Sequence, residues 1–148
     1  MANVHDAANF FIDLINSSED DRITNLKLNK LLYYTQGCFL SRTGHPFFDE
    51  QIEAWELGPI VPSVYKKYHV CGSSPIEYVD ENYSHRIFSL EEKEAMIDVM
   101  REYGCYTGSA LIGLIRAKDT PWSKAFAQEK AVLANEDIKA YFDKNKIP

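Results

Sequence analysis

The chain has 148 residues, of which 45% are hydrophobic and 26% charged, with a formal net charge of −6 and a pI near 5.2. This length and composition predict one soluble globular domain and exclude a disordered or fibrous chain. The acidic balance argues against a nucleic-acid partner, because broad binding to a duplex needs a dominant basic field.

The cysteines and the apolar runs bear on location. Cys38, Cys71 and Cys105 lie far apart and lack the CxxC spacing of a zinc knuckle or redox pair, which predicts a reduced cytoplasmic protein. Residues 1–16 lack the charged start and the continuous apolar run of a signal peptide, and no stretch of about 18 apolar residues occurs. We therefore expect neither secretion nor membrane insertion.

Helical periodicity predicts the first two elements. Residues Val4 to Asn16 place apolar side chains at helical spacing, and the polar run 17–21 interrupts the pattern. Thr24 is the predicted N-cap of a second helix, which begins at Asn25. That helix should end near Gly44, since glycine readily adopts the positive φ of a C-cap.

The middle of the chain is predicted to be mixed. Residues Gln51 to Leu57 are a predicted strand that Gly58-Pro59 breaks, and Ile60 to His69 should be mostly helical. Two further segments, Pro75 to Asp80 and His85 to Phe88, are predicted to pair as a hairpin.

The last third of the chain is predicted to be helical. Ser89 and Glu92 form a predicted capping box for a helix that stops at Gly104. Shorter helices are predicted from Ser109 to Arg116, from Thr120-Pro121, and after Asn135. Because the strands show no βαβ alternation, the predicted fold is α+β and mainly helical, a single compact domain with a small antiparallel sheet.

The second helix carries large side chains on more than one face. At about 100° per residue, Tyr33 falls opposite the main apolar stripe. One interpretation, the more common outcome, is a central helix buried nearly all round. The other is that Tyr33 and Tyr34, with Lys27 and Lys30, line a partner-binding surface, as aromatic anchors do at interfaces.

The segment from Trp55 to Pro59 joins a tryptophan to a rigid turn. Gly58 is expected to adopt a conformation that other residues resist, and Pro59 fixes the backbone that follows. Trp55 is either the core anchor of a small sheet or, together with the turn, a group presented to a ligand. The sequence leaves both interpretations open.

Catalytic motifs are not found in the sequence. The histidines show no HExxH pair, no Ser or Cys lies in a known nucleophile motif, and Gly104, Gly108 and Gly113 are too loosely spaced for a phosphate loop. The pairs Asp20-Asp21 and Glu91-Glu92 are explained by solvation and by helix N-terminal charge. We therefore predict that the protein is not an enzyme and uses no metal or cofactor.

A family resemblance covers most of the chain. The run from Leu26 to Tyr68, which includes KLNKLLYYTQ and AWELGP, resembles the Panacea domain of SocA-like antitoxins, which is also found in phage-associated proteins. Gly104, the segment Ser109 to Ile115, and Asp119-Thr120-Pro121-Trp122 match the rest of the pattern. Many members carry a histidine shortly before the Pro-Trp, where this chain has Arg116-Ala117-Lys118. Residues 1–148 are accordingly predicted to form one such domain.

The resemblance implies a protein that binds and neutralises a cognate toxin by occlusion. One branch of the family is an adaptor that delivers its toxin to a Clp-type protease, and the domain is described as having no catalytic role. The predicted recognition surface comprises Lys27, Lys30, Tyr33, Tyr34, Trp55, Gly58, Pro59, Tyr65 and Trp122. Charge reversal at Lys30 or truncation of Tyr33 is expected to weaken association and to leave folding largely intact.

Two other functions stay open from the sequence. An enzyme or binder of a small metabolite or nucleotide would use the same groove and would bind its ligand saturably. A phage or prophage accessory factor would counter host defence by binding a host protein or nucleic acid. The sequence also leaves the oligomeric state open.

Overall fold

The second helix is the centre of the fold. The computed structural model describes residues 1–18 and 22–148. Its helices are α1 (Val4–Asn16), α2 (Asn25–Thr43), α3 (Pro62–Lys67), α4 (Leu90–Tyr103), α5 (Gly108–Ile115), α6 (Pro121–Ala127) and α7 (Asn135–Lys144), and its strands are β1 (Ile52–Trp55), β2 (Gly58–Ile60) and β3 (Val132–Leu133). Helices α1, α3, α4, α5 and α7 and strand β2 all pack against α2. The α+β, mainly helical prediction is confirmed.

The predicted helix ends are confirmed where capping residues define them. The Thr24 side chain accepts a hydrogen bond from the Lys27 backbone N–H at 3.3 Å, and Gly44, at φ 78°, closes the other end of α2. At the start of α4, the Glu92 N–H donates to Ser89 Oγ and the Ser89 N–H donates to Glu92 Oε1. The acidic pair Asp20-Asp21 lies outside the described residues.

The sheet is antiparallel, with strand order β2-β1-β3. The prediction that Gly58-Pro59 breaks the strand is wrong, because both residues belong to β2, where Trp55 pairs with Gly58 and Ala54 with Pro59. The chain reverses at Glu56 and Leu57 instead. Proline is accommodated in β2 because β2 is an edge strand and one side of it needs no N–H donor.

Two further predictions of strand and helix need correction. Residues Pro75 to Asp80 have no regular structure and His85–Ile87 is a 3₁₀ turn, so the predicted hairpin is wrong. The backbone there bonds to other elements: the Ile76 N–H, for example, donates to Ile23 O at 2.8 Å. The helix predicted from Ile60 to His69 is shorter, since Ile60 lies in β2 and α3 ends at Lys67.

Helix α2 is buried on every side, as the more common of the two interpretations requires. Tyr33 is 1% exposed, Tyr34 5%, Lys27 6% and Lys30 0%. Helix α7 covers the face that carries Tyr33. Its Phe142 ring contacts Tyr33 and fills the space beside Gly37 that a larger side chain would occupy. These four side chains therefore lie beneath the surface of the fold.

Within the described residues, no helix combines the length and apolarity that a bilayer crossing requires. The same part of the chain brings together no group of three or more His, Cys, Asp or Glu side chains that could hold a metal ion. All three cysteines are free thiols.

Candidate partner-binding surface

A stripe of aromatic rings follows the β1–β2 hairpin. We define this aromatic stripe as His69, Tyr65, Trp55, Trp122 and Phe126. Its ring centroids are 5.8 Å apart for His69 and Tyr65, 5.1 Å for Tyr65 and Trp55, and 4.6 Å for Trp122 and Phe126. The two halves are joined by a hydrogen bond of 2.6 Å from Trp122 Nε1 to the backbone oxygen of Trp55. The structure thus brings together residues from β1, α3 and α6.

A groove of about 480 Å³ adjoins the stripe. We call it the hairpin groove. Its apolar wall includes Leu26, Leu57 and Tyr65, and its polar wall includes the starts of α2 and α5. Leu57, in the turn between β1 and β2, is 37% exposed, and Phe126 at the end of the stripe is 41% exposed. Large apolar side chains are thus accessible beside a concave surface, which is an arrangement typical of binding sites.

Buried polar side chains of α2 hold the hairpin and α3 in place. The Val61 N–H donates to Asn29 Oδ1 at 2.9 Å, and Lys30 Nζ donates to the backbone oxygen of Pro59 at 3.0 Å. Asn25 Nδ2 donates to the backbone oxygen of Tyr65, also at 2.9 Å. Because these bonds satisfy backbone groups where water is excluded, they fix the segments that carry the groove walls.

Lys30 is unusual because it is a fully buried amine. Among the described residues no carboxylate forms an ion pair with it, and burial lowers its pKa to about 7. Gly58 lies directly against it: an added Cβ would be 2.9 Å from Lys30 Cε, and φ at Gly58 is 96°. Glycine suits this position for two reasons: it adopts the positive φ readily, and it leaves space for the Lys30 side chain.

Lys27 also has a structural role in this fold. It is 6% exposed, and its Nζ donates to the backbone oxygen of Gly104, which links α2 to the end of α4. Lys27 and Lys30 are not part of the exposed basic surface that the sequence predicts for them. Both are covered by the fold, so any effect they have on a partner is transmitted through the segments they support.

Tyr33 and Tyr34 lie elsewhere, in a second small cavity. We call it the tyrosine cavity; it measures about 140 Å³ and its main walls are Tyr33, Tyr34, Tyr103 and Tyr141. Tyr34 stacks on Tyr103 with ring centroids 3.8 Å apart and an angle of 11° between the planes. Of the predicted recognition residues, Tyr33 and Tyr34 therefore line this cavity, Lys27 lies against the end of α4, and the others lie in or around the hairpin region.

The chain is similar in sequence to a known protein family and to a known antitoxin. Residues 28–123 match the family described as Antitoxin SocA-like, Panacea domain. The chain belongs to this family. It is also 29% identical over 126 residues to Antitoxin SocA of Caulobacter vibrioides (strain NA1000 / CB15N), an alignment that covers 78% of this chain and 65% of that protein. The chain thus spans less than two thirds of the length of that relative. No solved structure matches this chain significantly.

In this Panacea domain the Asp-Thr-Pro-Trp segment shapes one end of the aromatic stripe. Thr120 caps α6 by accepting the Ser123 N–H at 3.2 Å, and its hydroxyl donates to Ile115 O at 2.6 Å. Trp122 is thereby held under β1. Arg116 places its guanidinium 5.0 Å from the centre of the Trp122 ring.

Three residues of this surface are not predicted from the sequence. Leu57 falls in the predicted strand, and neither His69 nor Phe126 belongs to the predicted recognition surface. Phe126 had a usable signal, because it follows Trp122 by four residues and such pairs share one face of a helix. Leu57 had none, since its exposure depends on the turn that the hairpin makes.

Proposed function

We propose that this protein is an antitoxin that binds a toxin protein through the hairpin groove and the aromatic stripe and inhibits it by occlusion. The observation that carries the proposal is the exposed Leu57 in the wall of the hairpin groove, next to an aromatic stripe that ends at the exposed Phe126. Asn29 and Lys30 hold the adjoining hairpin segment from below. Membership of a family of SocA-like antitoxins supports it. The free cysteines fit action in the reducing cytoplasm.

The shape of this surface suits a protein partner. A standard interface covers about 800 Å² on each side, and a few buried aromatic or apolar anchors supply most of its energy. Trp55 and Tyr65 are half-buried and held by mutual ring contact, so little side-chain freedom is lost when they are covered. Of the residues predicted from sequence, we assign direct contact to Trp55 and Tyr65, and support to Gly58, Pro59 and Trp122.

The first test is co-expression with the gene that lies beside its own. We expect the neighbouring product to arrest growth when expressed alone, and co-expression of this chain to restore growth. A stable complex should then co-purify. A harmless neighbour together with no complex would contradict the proposal.

A pair of substitutions tests the surface itself. We expect Tyr65→Ala and Leu57→Asp each to weaken toxin binding at least about tenfold, because each removes an apolar contact at the groove. The measurement is the dissociation constant of the purified complex by calorimetry. Leu90→Asp is the matched control, since Leu90 is 74% exposed at the start of α4 and does not line the groove. Equal affinity in all three variants would show that the toxin binds elsewhere.

The resemblance also implies a second mechanism, in which the protein delivers the toxin to a Clp-type protease. Occlusion and delivery differ in the fate of the toxin, so the half-life of the toxin in cells separates them. Under occlusion we expect the toxin to persist in the complex. Rapid loss of the toxin that depends on both this protein and the protease would replace occlusion with an adaptor mechanism.

A further inference from the structure

Two tyrosine hydroxyls, those of Tyr33 and Tyr34, belong to side chains that line the tyrosine cavity. Tyr33 is 1% exposed and Tyr34 is 5% exposed, yet both side chains line the cavity. Within the described residues, neither hydroxyl makes a hydrogen bond to protein. Neither oxygen is among the fully buried side-chain atoms that lack a partner, so both reach the space of the cavity and are free to bond to a molecule that occupies it.

These hydroxyls are hydrogen-bond donors at neutral pH. Burial, reinforced by the neighbouring tyrosines, raises the pKa of Tyr33 and of Tyr34 well above the ordinary value, and burial raises the pKa of Tyr103 to about 12. Each phenol is therefore neutral and carries its proton. A ligand of this cavity should therefore present hydrogen-bond acceptors, and an uncharged ring avoids the cost of burying a charge there.

The size of the cavity limits the ligand to one ring. Its volume is about 140 Å³, and a protein cavity of about 150 Å³ is known to hold one benzene molecule. The walls are flat rings: Tyr34 stacks on Tyr103, and Phe142 meets Tyr33 edge-on with centroids 5.6 Å apart. Such walls favour a planar ring, which can stack or pack edge-to-face against them.

A basic groove opens directly beside the cavity. This second groove, of about 870 Å³ between α6 and α7, shares three wall residues with the cavity, namely Thr120, Tyr141 and Asn145. Lys118 and Lys144 line it and make no ion pair within the described part of the chain, whereas Lys124 pairs with Asp137 at 2.8 Å. Asp119 is the one acidic wall residue besides Asp137. Two unpaired ammonium groups thus lie where an anionic extension of a ring ligand would emerge.

We propose that the tyrosine cavity and the groove beside it bind a pyrimidine nucleotide. The single ring enters the cavity, and two of its acceptors take hydrogen bonds from the Tyr33 and Tyr34 hydroxyls. These acceptors are the two carbonyl oxygens of uracil, or the carbonyl oxygen and N3 of cytosine. The phosphate lies in the groove near Lys118 and Lys144. This site shares no wall residue with the hairpin groove, so nucleotide binding does not depend on the antitoxin proposal.

Titration of the full chain with UMP and CMP, followed by calorimetry, tests this site. We expect saturable binding of at least one of them. Uridine and inorganic phosphate should each bind at least about tenfold more weakly, since each carries half of the recognised groups. AMP and GMP should also bind at least about tenfold more weakly, because a fused double ring exceeds the cavity. Equal binding of purine and pyrimidine nucleotides, or no binding of either pyrimidine nucleotide at millimolar concentration, would overturn the proposal.

Variants of the two halves of the site locate the ligand. Tyr33→Phe with Tyr34→Phe keeps both rings and removes hydroxyls that have no protein partner, so folding should be unaffected. We expect this pair, and separately Lys118→Ala with Lys144→Ala, to weaken UMP or CMP binding about three- to tenfold or more. Tyr78→Phe and Lys66→Ala are the matched controls, since neither residue lines the cavity or the groove beside it.

A third variant blocks the cavity without touching the core. Leu114 lines the cavity but is 47% exposed, so Leu114→Trp adds bulk at its mouth. We expect this change to abolish nucleotide binding and to leave the thermal unfolding midpoint close to that of the parent. Unchanged binding in Leu114→Trp and in both double variants would place the nucleotide elsewhere and overturn the assignment.

Discussion

Gly37→Ala is expected to lower the free energy of unfolding by about 3 kcal/mol. An added Cβ at Gly37 would lie 2.1 Å from Cδ2 of Phe142, which is far inside van der Waals contact. The Phe142 ring is 1% exposed and packs against Tyr33 and Tyr34, so moving it away from the added Cβ disrupts these ring contacts. Either the ring leaves this packing or helix α7 shifts away from α2, and both cost stability.

Whether a glycine-to-alanine change raises or lowers the free energy of unfolding distinguishes an effect of packing from an effect of helix propensity. In an exposed helix, replacing glycine with alanine stabilises by about 1 kcal/mol, because glycine loses more backbone entropy on folding. Gly113 provides the matched control, since it is exposed in α5 and a Cβ there would meet nothing within 4 Å. We expect Gly113→Ala to raise stability in the same protein in which Gly37→Ala lowers it.

A double-mutant cycle with Phe142→Ala identifies the clash. Phe142→Ala alone should cost about 3–5 kcal/mol through the lost ring and the cavity it leaves. In that background the added Cβ has space, so Gly37→Ala should cost nothing or stabilise by up to about 1 kcal/mol. Urea unfolding of the four proteins, followed by circular dichroism, gives the coupling energy. An equal cost of Gly37→Ala in both backgrounds would show that Phe142 is not its cause.

Lys30→Glu is expected to lower the free energy of unfolding by about 3–5 kcal/mol, or to prevent folding. The side chain is 0% exposed, and it contacts the backbone oxygen of Pro59, which a carboxylate would repel. This reverses the expectation drawn from the sequence, which placed Lys30 at a partner-binding surface and predicted intact folding after charge reversal. Loss of toxin binding in this variant would then follow from a displaced hairpin.

Lys30→Met is the informative companion, because it keeps the length of the side chain and removes the buried charge. The Pro59 oxygen loses its donor, which costs about 1–3 kcal/mol, while the desolvation of an ammonium is avoided. We therefore expect Lys30→Met to fold and to be far more stable than Lys30→Glu. Similar stability of the two variants in urea unfolding would contradict the burial of this amine.

The buried amine also predicts how stability depends on pH. Burial lowers the pKa of Lys30 from 10.5 to about 7, so between these values the unfolded chain binds more protons than the folded one. Stability contributed by this group therefore rises with pH in that interval, by up to about 1.4 kcal/mol per pH unit. Below pH 7 both states are protonated and the contribution is constant.

The measurement compares the parent with Lys30→Met between pH 7 and pH 9. The difference between their free energies of unfolding removes the effect of every other titrating group that the two proteins share. We expect this difference to shift in favour of the parent as the pH rises. Lys66→Met, at an exposed position of α3, should show the pH profile of the parent. A difference that stays constant with pH would mean that Lys30 keeps an ordinary pKa.

The local elements of this fold could be predicted because a few adjacent residues determine them. Thr24 caps the start of α2 and Gly44 its end, and the reciprocal hydrogen bonds of Ser89 and Glu92 cap the start of α4. Each cap involves residues no more than about one helical turn apart. Family membership was likewise readable, since its motifs are short runs in a fixed order. Each of these features rests on interactions between neighbours in sequence.

Only the tertiary structure decided the sheet and the surface. Strand β3 was not predicted, since Ile52 pairs with Leu133 across a long stretch of chain and two residues carry no periodicity. The burial of Lys30 and Tyr33 likewise depends on β2 and α7, which come later in sequence. By itself the sequence determined the helices, their caps and the family; packing between distant segments decided which of their side chains reach the surface, because burial depends on what covers a residue.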